Sequence, residues 1–266
     1  MNRSGCHMKT ALITGSTSGI GLAIADALSA AGWRIALHGL GTANEIANAV
    51  DQVASRATHA DLPRHFDADL RTASAARRLI ADVEDSFGHV DLLVNNAGIQ
   101  FTARVEDFPI TKWDDIIAIN LSSVFHTCAA VLPGMRERDY GRIINMASVH
   151  GLIASTEKAA YVAAKHGVVG LTKTIALENA KSNVTCNAIC PGWVKTALLD
   201  AQIDRKMGHA NLSYLGAIAA LLSEKEPSER FTTPEHIAAA VLFLVGEAGS
   251  NITGISLPMD GGWTAQ

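Results

Sequence analysis

Cysteine is scarce: Cys6, Cys128, Cys186 and Cys190 are the only four in 266 residues, too few and too scattered to staple a fold. That excludes a disulfide-built secreted scaffold and fits a reducing cytoplasm. Cys186 and Cys190 are spaced like a metal pair, but no further ligands lie near them in sequence, so both read as small buried residues and no metal is expected. An excess of one charge is missing too. The net charge of -4 comes from interspersed acids and bases, which leaves no basic footprint for nucleic acid and no basic helix for a membrane surface. Apolar runs such as 237–245 fall far short of the ~20 residues that a membrane span needs. Residues 1–8 lack the apolar core of a signal peptide and read as a disordered leader. Linkers, repeats and low-complexity tracts are absent, so residues 9–266 are expected to form one domain.

What the chain does contain is an alternation of short apolar runs with helical stretches. Residues 10–13 run into Thr14-Gly15-Ser16-Thr17-Ser18-Gly19-Ile20-Gly21, after which 22–31 reads as a helix ended by Gly32. A glycine turn between strand and helix lets backbone approach a pyrophosphate, and the free N–H groups of the helix start can hold it. The spacing G-x-x-x-G-x-G departs from the commoner G-x-G-x-x-G, and ordinary strand-to-helix turns use glycine as well. A second strand, 33–38, leads to Gly39-Leu40-Gly41, where an acid would bond an adenosine ribose and a base would accept a 2′-phosphate. Neither stands there, and Ser18 is not basic either, which favours NAD over NADP.

Further strands are read at 64–66, 90–94, 142–147, 184–189 and 254–257, and helices at 43–57, 72–87, 111–135 and 234–247. This is the pattern of an α/β protein with a doubly wound parallel sheet and helices on both faces. Asp69, after the third strand, is placed to bond an adenine edge or to cap the next helix. Asn95 and Asn96 end the fourth strand, where they either lock a loop or meet a ligand. Asn120 falls inside a helix, a poor place for an amide without a partner, and Pro133-Gly134 is expected to interrupt that helix. Residues 195–231 mix helical stretches with breakers and are read as a substrate lid. Polar chemistry is densest from Ser148 to Lys165, a stretch that adds His150, Lys158 and Tyr161 and reads as helical from Ser155 onward. On a helix Lys158, Tyr161 and Lys165 share a face; the plain alternative is a partly solvated helix that carries two lysines.

Thr14-Gly15-x-x-x-Gly19-x-Gly21, Asn95-Asn96-Ala97-Gly98, Asn120, Ser148, Tyr161-x-x-x-Lys165 and Pro191-Gly192 resemble, in order and spacing, the short-chain dehydrogenase/reductase family from about Lys9 to the end of the chain. The resemblance implies a Rossmann-type fold of about seven strands, a nicotinamide cofactor and a homotetramer. Gly98-Ile99-Gln100, Ser148-x-His150-Gly151-Leu152, the run from Lys158 to Gly170, Cys190-Pro191-Gly192-Trp193-Val194 and the closing Asp260-Gly261-Gly262-Trp263-Thr264-Ala265 are similar to the bacterial D-3-hydroxybutyrate dehydrogenases. By that resemblance Gln100, His150, Lys158 and Gln202 hold a substrate carboxylate while Trp193 and Trp263 border its methyl end. It also makes Asn120, Ser148, Tyr161 and Lys165 catalytic, with Asn120 holding a water that links Lys165 to solvent. Gly15, Ser18, Ile20, Asp69, Leu70, Asn96, Gly98, Val194 and Thr196, with Tyr161 and Lys165, then line an NAD site.

The chemistry expected is reversible NAD-dependent oxidation of 3-hydroxybutyrate. A tyrosine is a poor base near neutrality, and Lys165 with the nicotinamide cation is expected to lower its pKa so that Tyr161 takes the alcohol proton. Gln100 and Gln202 read equally as loop surface, His150 as a packed turn residue and Lys158 as a solvated lysine. Two rival functions stand beside this one. A 3-oxoacyl thioester reductase using NADPH expects a base in the glycine turn and no carboxylate clamp. A non-catalytic dinucleotide-binding scaffold has no need of Asn120, Ser148, Tyr161 and Lys165 together.

Overall fold

Strands buried on both faces are rich in apolar side chains, and every residue of the first, fourth, fifth and sixth strands is buried. The computed structural model describes residues 8–196, 199, 200, 203, 207 and 213–266. In it β1 (Thr10–Ile13), β2 (Arg34–His38), β3 (Arg64–Phe66), β4 (Leu92–Asn95), β5 (Gly141–Met146), β6 (Val184–Pro191) and β7 (Ser256–Met259) form one parallel sheet in the order β3-β2-β1-β4-β5-β6-β7. Ile13 of β1 stands between Leu37 of β2 and Val94 of β4. The winding direction reverses at that point, and the loops leaving the carboxyl ends of β1 and β4 part to open a crevice.

The helices described are α1 (Gly19–Ala30), α2 (Ala43–Ala54), α3 (Ala73–Phe87), α4 (Ile110–Ile117), α5 (Ser123–Glu137), α6 (Ala159–Glu178), α7 (Tyr214–Lys225) and α8 (Pro234–Val245). Successive strand residues point to opposite faces, so each strand feeds two cores. Leu12, Leu93 and Ile143 pack beneath α3, α5 and α6; Ile13, Val94 and Ile144 pack beneath α1 and α8. A buried polar ladder crosses the first of these layers. Thr127 of α5 donates to Asn95 Oδ1 at 2.7 Å, Asn95 Nδ2 to Asn145 Oδ1 at 2.9 Å, and Asn145 Nδ2 to the Thr172 hydroxyl of α6 at 2.9 Å. The ladder registers two helices on the two strands that lead to the site.

Several sequence expectations are corrected. Pro133 does not end its helix: α5 runs through it to Glu137, because the carbonyl that loses a partner belongs to exposed Ala129, where water can take the bond. Between α4 and α5 the residues Ala118–Ser122 form a π turn, the Ser123 N–H reaching back to the Ala118 carbonyl. The joined segment Ile110–Glu137 is long and apolar enough to cross a membrane, contrary to the reading from apolar run lengths, but nearly half of its most apolar stretch is buried, packed against α3 and α6. α6 begins at Ala159 and not near Ser155: Glu157 has φ of +63°, and Lys158 sits in the capping position, bridged to Ala103. Thr72, and not Asp69, caps α3, its hydroxyl accepting the Ala75 N–H at 3.3 Å. Of the expected lid, α7 packs Ala217 and Leu221 on Leu199 and Ile203 against Trp193. Gln202, Cys6 and residues 1–7 lie outside the described residues.

Replacing Asn145 with Ala breaks two rungs of the ladder and leaves Asn95 Nδ2 only the Cys128 sulfur at 3.4 Å, a weak acceptor, in the core. Urea unfolding should show a loss of about 2–3 kcal/mol.

Candidate active site

β5 leaves the sheet through Ala147 and Ser148 into a tight turn, Val149–Gly151. The Ser148 hydroxyl accepts the His150 N–H at 3.2 Å and lies 3.3 Å from His150 Nδ1, while His150 Nε2 is 2.9 Å from the Ser155 hydroxyl. A Cβ on Gly151 would stand 2.8 Å from the Lys165 carbonyl, so glycine is what lets this turn press on α6. α6 in return presents Tyr161 and, one turn on, Lys165. Ser148 is hydrogen-bonded to the Tyr161 phenol, and burial pushes that phenol above its ordinary value while the Ser148 bond opposes the rise. The Lys165 ammonium donates to the Met146 carbonyl at 2.6 Å and stands 5.6 Å from the centre of the Tyr161 ring. Its own burial lowers it to about 8. The expected lowering of Tyr161 by Lys165 is thus not found: the ammonium is aimed at a main-chain carbonyl, and burial acts on both groups.

Asn120 pins a loop beside the site. Its Oδ1 accepts the Ile99 N–H at 2.9 Å and its Nδ2 donates to the Ile99 carbonyl at 2.8 Å, so both ends of the amide are spent on pinning the loop that carries Gln100. The π turn around it widens the helix, and the Ser123 hydroxyl takes the Ile119 carbonyl at 2.6 Å.

The crevice at the ends of β1 and β4 is a cleft of about 610 Å³, and Gly15, Ser18, Ile20, Asp69, Leu70, Asn96, Gly98 and Thr196 all line it. Gly15 and Gly19 have φ of +63° and +55°, and a Cβ on Gly21 would stand 2.3 Å from the Gly15 carbonyl oxygen. The first turn of α1 has no side-chain cap and no acid, leaving its N–H groups for an anion. This donor set fits a dinucleotide pyrophosphate. Asn96 faces the cleft but donates to the Thr14 and Gly15 carbonyls at 3.0 and 2.9 Å, which makes it the lock of the glycine turn. Asp69 is held by Arg71, whose guanidinium donates to both carboxylate oxygens at 2.8–3.0 Å.

A smaller cavity of about 160 Å³ lies deeper, lined by Gln100, Ser148, His150, Lys158, Tyr161, Lys165, Trp193, Val194 and Trp263. The fold therefore brings together every expected catalytic and substrate residue that lies within the described part except Asn120, which stands behind the Gln100 loop. Gln100 Nε2 and Trp193 Nε1 are buried without hydrogen-bond partners. Lys158 Nζ stands 5.1 Å from the Trp193 ring centre, and Trp193 and Trp263 lie 5.6 Å apart. Burial, then the charges of Lys158 and Lys225, lower His150 to about 3, so it is a neutral hydrogen-bonding group and not a cation near pH 7.

A family model described as enoyl-(acyl carrier protein) reductase matches residues 15–264. With the Ser148–Tyr161–Lys165 cluster beside a dinucleotide cleft, that match decides the family. The chain is a short-chain dehydrogenase/reductase. A protein of Rhizobium meliloti named D-beta-hydroxybutyrate dehydrogenase is 50% identical over 258 residues, covering 97% of this chain and 99% of the relative. One of the same name from Cupriavidus necator is 49% identical, covering 97% and 98%. Among solved structures, an actinorhodin polyketide ketoreductase with NADPH superposes with a TM-score of 0.90 at 32% identity, covering 97% of this chain and 98% of that one. This short-chain dehydrogenase/reductase is an oxidoreductase.

Sequence reading missed several parts of the site. Thr14 opens the glycine motif, and its hydroxyl accepts the N–H groups of both Asn96 and Ala97 at 3.0 Å and stitches the two ligand-facing turns together. His38 ends β2, just before the Gly39-Leu40-Gly41 turn; its Nδ1 lies 3.3 Å from the Gly15 N and its Nε2 3.0 Å from the Ala68 carbonyl, and burial lowers its pKa, so it is neutral. Arg71 was discoverable as the residue two beyond Asp69.

The lowered pKa of Lys165 has a measurable sign. The unfolded chain holds this proton up to about 10.5 and the folded one only up to about 8, so wild-type stability gains with rising pH between those values, by about 3 kcal/mol in all. The Tm of Lys165→Met relative to wild type should therefore be more favourable at pH 7 than at pH 10. Equal differences at the two pH values would refute the buried-cation assignment.

Proposed function

We propose that this protein oxidises D-3-hydroxybutyrate to acetoacetate with NAD as its cofactor. The observation that carries the substrate is the buried, unpartnered Nε2 of Gln100 in a cavity that also holds Lys158 and His150. An N–H left unpaired in the interior is costly, and a carboxylate can satisfy it together with the ammonium beside it. Trp193 and Trp263, which also border Lys158 and His150, offer ring faces that suit a methyl group. The two relatives named D-beta-hydroxybutyrate dehydrogenase, each about half identical over nearly the whole chain, support the same substrate. The cofactor choice is supported by charge: His38 is neutral, and Arg71 is committed to Asp69, so neither offers a cation for a 2′-phosphate.

When bound, the nicotinamide supplies the hydride acceptor. Ser148 orients the substrate hydroxyl toward Tyr161, which removes its proton as the C–H bond breaks. Lys165, buried against Met146, stands one helical turn from the phenol, while the bond from Ser148 opposes the burial that raises Tyr161. Lys158 and Gln100 fix the carboxylate, and His150, anchored to Ser148 and Ser155, completes that end as a neutral donor or acceptor.

NADH absorbance with each enantiomer of 3-hydroxybutyrate tests this directly. The D form with NAD should react, and NADP should serve poorly; no NADH from either enantiomer would sink the substrate assignment. Tyr161→Phe should lose a factor of about 10²–10⁴ in kcat with NADH binding retained. Lys158→Ala should raise KM for 3-hydroxybutyrate about 10- to 100-fold, the weight of one charge-assisted hydrogen bond, while sparing turnover of a neutral short alcohol. Equal effects on the acid and the alcohol would argue against the carboxylate clamp.

A further inference from the structure

Among the described residues, the most deeply buried carboxyl group is one that the chemistry above leaves unused. Glu226 is fully buried just beyond the end of α7. Its Oε1 accepts the Trp193 N–H at 2.6 Å, and its Oε2 is buried without a hydrogen-bond partner. Two glycines make its room: a Cβ on Gly192 would stand 2.3 Å from Oε1 and one on Gly261 3.4 Å from Oε2. Its own N–H closes α7 on the Leu222 carbonyl at 2.8 Å, and its carbonyl takes the Glu229 N–H at 2.8 Å. A single residue thus ties together the end of β6, the terminal turn and the helix beside the cavity. Burial, with the Asp260 carboxylate facing it from the terminal turn, pushes Glu226 up to about 7, against the pull of the Trp193 N–H. Near neutrality it carries its proton much of the time, which makes it the chemical equivalent of an amide at this position.

We propose that Glu226 is a positioning residue for the substrate: by holding the Trp193 main chain it sets the indole that walls the apolar end of the cavity. Trp193 faces Trp263 at 5.6 Å and carries the Lys158 ammonium 5.1 Å from its ring centre, so one anchor governs both the methyl end and the carboxylate end. Thr232 supports the same segment from the other side, its N–H donating to the Trp193 carbonyl at 3.0 Å, and Thr232 Oγ1 in turn donates to the Met259 carbonyl at 3.0 Å. The main-chain path at Trp193 is then fixed by one side-chain acceptor and one backbone donor. The consequence for catalysis rests on the proposed function; the anchor itself does not.

The test uses Glu226→Gln, which keeps an oxygen for the Trp193 N–H, and Glu226→Leu, which removes it at similar volume. Hydrogen exchange at the Trp193 amide reads the anchor without substrate: exchange should accelerate at least about tenfold in the leucine variant and stay near wild type in the glutamine variant. Steady-state kinetics reads the consequence. Glu226→Leu should raise KM for D-3-hydroxybutyrate roughly tenfold with kcat changed less than about threefold and NADH affinity kept, and Glu226→Gln should recover most of the loss. Unchanged Trp193 exchange in a folded Glu226→Leu protein, or a glutamine variant as impaired as the leucine one, overturns the proposal. If the leucine variant does not fold, Glu226→Met, unbranched and of similar length, carries the same two readings, and loss of Trp193 protection in Glu226→Gln alone also overturns it. Should wild type fail to oxidise 3-hydroxybutyrate, the substrate assignment falls while the exchange measurement still decides the anchor.

Discussion

An ammonium taken out of water must find an acceptor, and in this protein that requirement organises the site. The Lys165 amine is buried and meets the Met146 carbonyl, the last of β5, at 2.6 Å. Because Met146 is fixed by sheet pairing to Ile189, the bond sets where α6 lies on the sheet. Tyr161, one turn earlier, is thereby held over the segment that leaves β5, and Ser148 is two residues along that segment. The Gly151 turn has to come close enough to touch the Lys165 carbonyl for the same reason. A single charge-assisted contact places three reacting groups that lie on two separate elements.

The fold was largely legible because its signals are local. Apolar runs with a glycine turn between strand and helix need only neighbours in sequence to be read, and the seven strands fell where the runs fell, shifted by a residue or two. Pro133 and Lys158 were misread for a related reason. Whether a proline is tolerated depends on which side its orphaned carbonyl faces, and whether a helix starts at Ser155 or Ala159 depends on Ala103, far away in the chain, bridging Lys158. The candidate site divides in the same way. Tyr161 and Lys165 are a spacing on one helix; Glu226 against Trp193 and Arg71 against Asp69 are contacts whose partners no periodicity announces. Asn120 is the instructive middle case. An amide inside a helix signalled a partner, and its side chain finds one in the main chain of Ile99.

Side-chain amides in this protein act mostly as mortar. Asn95 and Asn145 join helices to strands, Asn96 closes the glycine turn, Asn120 pins a loop, and Asn187 holds the approach to β7 through the Ile252 carbonyl at 2.7 Å. Gln100 breaks this habit, since its buried nitrogen is left open toward the inner cavity. Where the buried amides are otherwise satisfied among the described residues, an open one marks where a ligand belongs.

The π turn at Ala118–Ser122 has a further consequence, one of phase. Each residue of an α-helix advances the chain by about 100°, so a surplus residue between two helical stretches rotates one relative to the other by that amount. α4 carries Ile116 into the interior and Asp115 to the rim of the dinucleotide cleft, within 4.0 Å of Arg71, whereas α5 carries Thr127 to the Asn95 ladder. An unbroken helix cannot serve both tasks with these residues at these positions. The inserted residue works as an angular spacer, and it lets one long rod present its first half to the cofactor cleft and its second half to the core.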